Sequence, residues 1–143
     1  MTTPAAGEVA GLARRLLSLA YETLLIAAVA LAGMVPFVLL TDSLDPGLKR
    51  ALNQVSLILL GGTYFVWQWT RGGQTLAMKT WRLKLVTRDG APLTAGQAVR
   101  RFAFALAGTA LGGSGFAWAL FDRDRQFLHD RLAGTRIVMS DER

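Results

Sequence analysis

Cysteine is absent from the 143-residue sequence, which excludes disulfides and thiolate metal sites and leaves the redox compartment unread. Histidine occurs once, as His129, and one imidazole beside the Asp130 carboxylate supplies too few ligands for a metal ion. Charge is scarce as well. Only 18% of the residues are charged, against about 25% in typical soluble proteins, while 52% are hydrophobic. Acid is scarcer than base, with 10 Asp and Glu against 16 Lys and Arg and a net charge of +6. That excess suits nucleic acid, an anionic membrane surface or membrane topology. Nucleic acid is excluded by distribution: the basic residues flank apolar runs instead of forming one soluble face, and no recognised binding motif occurs.

Three apolar runs are present. Residues 16–40 contain Glu22 as their only charge, and at about 1.5 Å per residue they exceed the ~30 Å hydrocarbon core. Residues 51–69 carry no charge and close on Trp67 and Trp69, where an interfacial aromatic belt is expected. Residues 102–121 are uncharged too, but Gly108, Gly112, Gly113 and Gly115 weaken them as a straight helix. Arg14, Arg15 and the small-residue stretch Ala30-Leu31-Ala32 resemble a secretory signal. The run continues past that stretch to Leu40 and is interrupted by Glu22, so the mature protein is expected to keep this helix.

The connections indicate sidedness. The turn-rich segment 41–50 has two basic residues, Lys49 and Arg50, whereas 70–101 carries Arg71, Lys79, Arg82, Lys84, Arg88, Arg100 and Arg101. By the positive-inside rule the N-terminus and the 70–101 connection face the cytoplasm. Five more arginines, Arg123, Arg125, Arg131, Arg136 and Arg143, follow the third run. A re-entrant hairpin turning at Gly112-Gly113-Ser114-Gly115 places them inside, and it is favoured slightly over a third span.

"WRLKLVT", residues 81–87, alternates Leu83 and Leu85 with Arg82 and Lys84, the two-residue period of a half-buried strand. Pro92 and the Thr94 to Gln97 capping-box spacing start a helix soon after, leaving "TRIVM", residues 135–139, as the nearest partner strand. The alternative is an amphipathic stretch lying unpaired among headgroups. The expected fold is therefore an all-α membrane protein of one domain over 1–143. It has two transmembrane helices, a third Gly-rich hydrophobic segment and a small cytoplasmic β pairing of 81–87 with 135–139.

Arg15 with an acidic residue seven positions on, "GGQTLAMKTWRLKLV" (72–86), "DGAPLT" (89–94) and "FDRDRQFLHDRLAGTRIV" (121–138) together resemble the RDD family of small bacterial membrane proteins. The likeness runs from about Gly11 to Val138, and its C-terminal motif is the most specific part. It implies that Arg15, Glu22 and Asp130 fill the positions for which the family is named, with Glu22 standing where the family usually has Asp. Ala77 and Arg82 stand where many relatives have glycine. It also implies a bacterial cytoplasmic membrane, and a suggested transport role that includes cation/proton antiport in some members.

Arg15 and Glu22 lie two helical turns apart, roughly 10 Å along the axis, on nearly the same face. A carboxylate at mid-helix costs about 2.5 to 3.5 kcal/mol on insertion scales, so Glu22 needs protein or water around it. Arg71, Lys79, Arg100 and Arg101 are its candidate cationic partners, with Gln54, Gln68 and Tyr64 as neutral ones. Glu22 can gain and lose a proton as a cation or solute passes, or it can serve only as a packing device. Asp130 lies on a short amphipathic helix with Phe127, Leu128 and Leu132 towards the apolar side, ended by Gly134. It can pair with Arg131, with Arg136 or across to the 70–101 connection.

The "GGQT" turn, 72–75, lacks Walker spacing and is read as ending the second helix, with Gln74 and Thr75 satisfying backbone groups. Residues 122–125, "DRDR", are read as an interfacial alternating-charge segment, and Trp67, Trp69, Trp81 and Trp118 as interface anchors. Anionic headgroups are the natural counter-charges for Lys79, Arg82, Lys84 and Arg88. No nucleophile, base and orienting group converge by spacing, so no enzyme and no cofactor are expected. Two spans and one hairpin enclose too little space for a water-filled route, so transport implies a homo-oligomer. Gly61-Gly62 and the 108–115 stretch would give it close backbone approach. The alternatives are a non-transporting scaffold that binds another protein, and a lipid-headgroup-binding protein.

Overall fold

A computed structural model describes residues 7–141; Arg143, the last of the arginines expected inside, lies outside them. Helix α1 spans Leu12–Leu40 and α2 spans Pro46–Arg71. The expected turn between them is shorter than its composition suggests. Asp45 caps α2, its carboxylate accepting from the backbone N–H groups of Gly47 and Leu48 at 2.9 and 3.2 Å, and Pro46 takes the first helical position, where its missing N–H costs nothing. Helix α2 thus begins five residues before the apolar run.

Helix α1 is inverted relative to a helix of a soluble protein. Its buried residues are Arg15, Ser18 and Glu22, at helical spacing on one face. Its large apolar side chains point outward, with Leu24, Leu31, Leu39 and Leu40 exposed by 69, 67, 72 and 82%. By length and composition α1 is the one single helix among the described residues able to cross a membrane. Helix α2 packs along α1 and is 26 residues long, but it is less apolar.

After Gly72 the chain makes the short helix α3 (Leu76–Thr80) and strand β1 (Leu83–Thr87). Strand β1 pairs antiparallel with β2 (Thr135–Met139), from Leu83 opposite Met139 to Thr87 opposite Thr135. The expected pairing forms, two residues shorter at its start. Trp81 ends α3, and Arg82 lies in the left-handed region at φ 55°, so neither belongs to the strand. The other edge of β2 receives residues 7–10: Val9 bridges Val138, and Ala10 donates to the Ile137 carbonyl at 3.0 Å. The segment before α1, the connection after α2 and the end of the described chain are thereby gathered into one small sheet.

The third apolar run is neither a straight helix nor an antiparallel hairpin. Helix α4 (Ala95–Ala110) starts on the expected capping box, with Thr94 and Gln97 exchanging side-chain and backbone hydrogen bonds. Gly112 and Gly113, both left-handed at φ 76 and 79°, then turn the chain by 102° into α5 (Ser114–Ala117) and a 3-10 turn over 118–120. Gly108 and Gly115 meet at the bend, where a Cβ added to Gly108 would lie 3.2 Å from the Cα of Gly115. Helix α6 (Leu128–Ala133), ended by left-handed Gly134, leads into β2.

The core joins Trp69, Met78, Leu83, Leu85, Leu93, Ala98, Phe127 and Ile137, below the α1–α2 pair. Trp69 is therefore a core residue, with Arg101 4.4 Å above its ring, and not an interface anchor, while Trp67 and Trp118 stay exposed. Leu132 is 52% exposed: the inward side of α6 is formed by His129, Asp130 and Ala133 beside Phe127. Of the glycines expected to serve an oligomer interface, Gly61 and Gly62 pack against the Phe102 ring and Gly108 against Gly115 within the chain, while Gly112 and Gly113 face open space.

Candidate functional site

Glu22 is 6% exposed and is held by hydroxyls. Tyr64 from α2 donates to Oε1 at 2.8 Å, and Thr75, the N-cap of α3, donates to Oε2. The same Thr75 oxygen accepts from the Met78 N–H at 3.2 Å, which orders the turn that follows α2. Among the described residues no cation forms an ion pair with Glu22. The four expected cationic partners are placed elsewhere: Arg71, Lys79 and Arg100 are exposed, and Arg101 is committed to Asp130. Helix α2 turns Tyr64 inward, whereas Gln68 reaches the Leu76 N–H at 3.2 Å.

Asp130, fully buried, accepts from Arg101 Nε at 3.0 Å and Nη2 at 2.6 Å, which ties α6 to α4. Arg131 takes no part in this pair, because it binds Asp122 and, at 3.0 Å, Asp124. Its guanidinium holds the Asp122 carboxyl below the usual carboxylate range. Asp122 also accepts from the Gln126 N–H at 3.0 Å, so the "DRDR" run forms an ordered turn. His129 stacks on Phe127 and meets Phe116 edge-on. Burial, aided by the Arg101 charge, pushes its pKa down to about 4, so it is neutral at neutral pH.

Arg15 is 3% exposed, and its only side-chain hydrogen bond among the described residues runs from Nη2 to the Arg125 carbonyl. Arg125 is held left-handed at φ 52°, and the arginine plane of Arg15 lies 5.4 Å from the centre of the Phe127 ring. Nε and Nη1 of Arg15 and Oδ2 of Asp130 are buried without hydrogen-bond partners. Each such group forgoes about 1–3 kcal/mol, so a guanidinium in this state marks a place where further partners are accommodated.

These residues surround a cavity of about 390 Å³. Arg15, Ser18, Glu22 and Ile26 of α1 form one wall, Phe102, Ala105, Leu106 and Thr109 of α4 the opposite one, Phe65 and Trp69 of α2 the back, and Thr75, Phe127 and His129 the floor. The space exists because α1 and α4 both pack on α2 and make little contact with each other. Of the expected triad, Arg15 and Glu22 reach the cavity, and Asp130 sits behind it, represented there by Arg101. Thr75 and the Arg125 carbonyl were not legible in sequence. They approach α1 from 53 and 110 positions away, and no spacing rule links segments so distant.

A mostly helical chain with an outward-facing apolar helix and an internal polar face is a protein of membrane type. The model of the RDD family matches residues 9–134, most of the chain, and the protein belongs to the RDD family. No curated protein and no solved structure matches it.

Proposed function

We propose that this protein is a multi-pass carrier of a small ion or solute in the bacterial cytoplasmic membrane, acting as a homo-oligomer and using Glu22 as a proton-exchanging group. In this reading α1 and α2 cross the bilayer, and α4 with α5 re-enters it as a bent element. The small sheet lies on the cytoplasmic side, together with the segment before α1 and the 70–101 connection. Sharing one sheet requires those three segments to lie on one side, and among the described residues every basic one except Lys49 and Arg50 then lies on the inner side. Lys79, Arg82 and Arg88 are exposed and Lys84 half-buried, suited to anionic headgroups.

The observation that carries the reading is the hydroxyl cage on Glu22. A guanidinium partner would favour only the carboxylate, whereas Tyr64 can donate to a carboxylate or accept from a carboxylic acid by rotating its O–H. A proton therefore arrives and leaves without stranding a neighbour. Arg15 on the same face supplies fixed positive charge that balances the ionised form. The chain's residues hold and move this proton, and no covalent chemistry or cofactor is invoked.

Reconstituted vesicles with an imposed pH gradient and an internal pH dye test this. Adding sodium, potassium or lithium should dissipate the gradient with the native protein and not with Glu22→Gln, while both proteins keep the same helical circular dichroism. Unchanged flux in Glu22→Gln removes the residue from the mechanism, and absence of flux with the native protein removes transport.

A further inference from the structure

We propose that the cavity between α1 and α4 binds a single-chain anionic amphiphile, with its carboxylate or phosphate head on Arg15 and its chain leaving between the two helices. The inference rests on the bilayer placement above and is independent of transport.

The head is assigned by the open donors of Arg15. Two guanidinium groups, Arg15 and Arg101, and one carboxylate, Glu22, lie in the cavity wall, while Asp130 lies behind it. His129, also in the wall, adds no charge at neutral pH. With Asp130 paired to Arg101, the cluster is neutral while Glu22 is ionised and carries one positive charge when Glu22 holds a proton. Arg101 has spent two donors on Asp130 and Glu22 is occupied by Tyr64 and Thr75, so the free donors belong to Arg15 at Nε and Nη1. Nε and Nη1 each share an edge of the guanidinium with Nη2 rather than with one another, so Arg15 offers two separately directed charge-assisted donors, either of which suits an oxygen of a carboxylate or phosphate.

The chain is assigned by what lies beyond Arg15. Along α1 the wall runs from Arg15 through Ser18, Leu19, Glu22 and Thr23 to Ile26, roughly 16 Å further along the axis at 1.5 Å per residue. Opposite stand Phe102, Ala105, Leu106 and Thr109, so away from the sheet the lining is mostly apolar, with Glu22 held by its hydroxyl partners. Leu106 and Thr23 at the rim are exposed. Because α1 and α4 scarcely touch, this gap opens sideways, towards lipid in the proposed placement. A small hydrated ion has no use for such an apolar extension, whereas an acyl chain occupies it without leaving apolar surroundings. The volume, about 390 Å³, falls within the ~300–1,000 Å³ of ordinary ligand sites and accommodates one chain more readily than two.

The test uses the full chain in phosphatidylcholine nanodiscs without any ion gradient, read by quenching of Trp69, whose ring forms the back of the cavity. Probes are dibromostearate, the lysophosphatidate carrying the same brominated chain, and the methyl ester of the acid. At least one of the two anions should quench saturably at a concentration roughly tenfold below the ester, as expected when a charge-assisted pair is lost. The tighter of the two identifies the head. Trp69→Phe should lose the saturable quenching. Arg15→Gln should abolish the preference over the ester, and Arg15→Lys should keep part of it. Equal quenching by all three probes, or an unchanged preference in Arg15→Gln, overturns the proposal. Ala105→Phe fills the chain's path without touching Arg15, so it decides the matter if Arg15→Gln does not fold: binding must weaken, and undiminished quenching overturns the proposal. Failure of ion flux in vesicles leaves this result standing, and labelling from either membrane face tests the placement separately.

Discussion

At His129, Asp130 and Arg82 the sequence shows polar or basic letters, and the structure gives each a different energetic meaning. His129 is buried and neutral, with its pKa at about 4. Once unfolded it binds a proton as pH falls through about 6.5, well before the folded form does, so acid favours unfolding. Stability contributed by the neutral imidazole should be complete above about pH 7 and fall by about 2 kcal/mol at pH 5. Melting in detergent at the two pH values checks this, and His129→Phe, which fits between Phe116 and Phe127, should show a smaller acid shift. Asp130→Asn strands a buried guanidinium, that of Arg101, and should cost about 3–5 kcal/mol of stability in a denaturation series. Arg82 works in the opposite direction. It is exposed and left-handed at φ 55°, a conformation costing about 1–2 kcal/mol for a residue with a Cβ. Arg82→Gly should raise stability by about 1 kcal/mol, after allowance for glycine's freer unfolded chain, seen as a higher melting temperature.

Among the elements, α1 shows how an apolar helix carries polar residues by turning them inward. Arg15, Ser18 and Glu22 recur on one face and turn towards α2, α3 and α6, leaving the leucines outside. The turn after α2 depends on Gly73, which is left-handed at φ 66° and whose carbonyl accepts from the Leu85 N–H at 2.7 Å. A Cβ at that position would lie 2.7 Å from the Leu85 carbonyl oxygen, a backbone atom that cannot swing aside. Gly73→Ala should therefore destabilise by about 2 kcal/mol or more and loosen protection of the β1 amides in hydrogen exchange. The capping box at Thr94, the glycine turn at 112–113 and the end of α6 at Gly134 were all legible, because each is decided by residues within four positions. Trp69 was not. Its aromatic letter suits an interface as well as a core, and only the arrival of α4 with Arg101 over its ring decides between them.

Across the whole molecule, the two-stranded sheet of β1 and β2, with residues 7–10 bridged to the free edge of β2, is the feature that constrains placement, since segments joined by hydrogen bonds cannot lie on opposite sides of a bilayer. Single cysteines at Ser43, Asp89 and Asp141, all exposed, give clean reporters in a chain without native thiols. Asp89 and Asp141 should label from the cytoplasmic face and Ser43 from the other, and labelling of Asp141 together with Ser43 would overturn the re-entrant path. Family membership, the apolar runs, the strand pair and the basic bias were all determined by sequence alone, because local period, composition and motif spacing act over a few residues or a single segment. Tertiary structure alone decided that hydroxyls rather than cations hold Glu22, that Arg101 is the cation paired with Asp130, and that a cavity remains between α1 and α4. Those outcomes depend on which side chains meet across tens of residues, and contact at that range is set by the packing of whole helices.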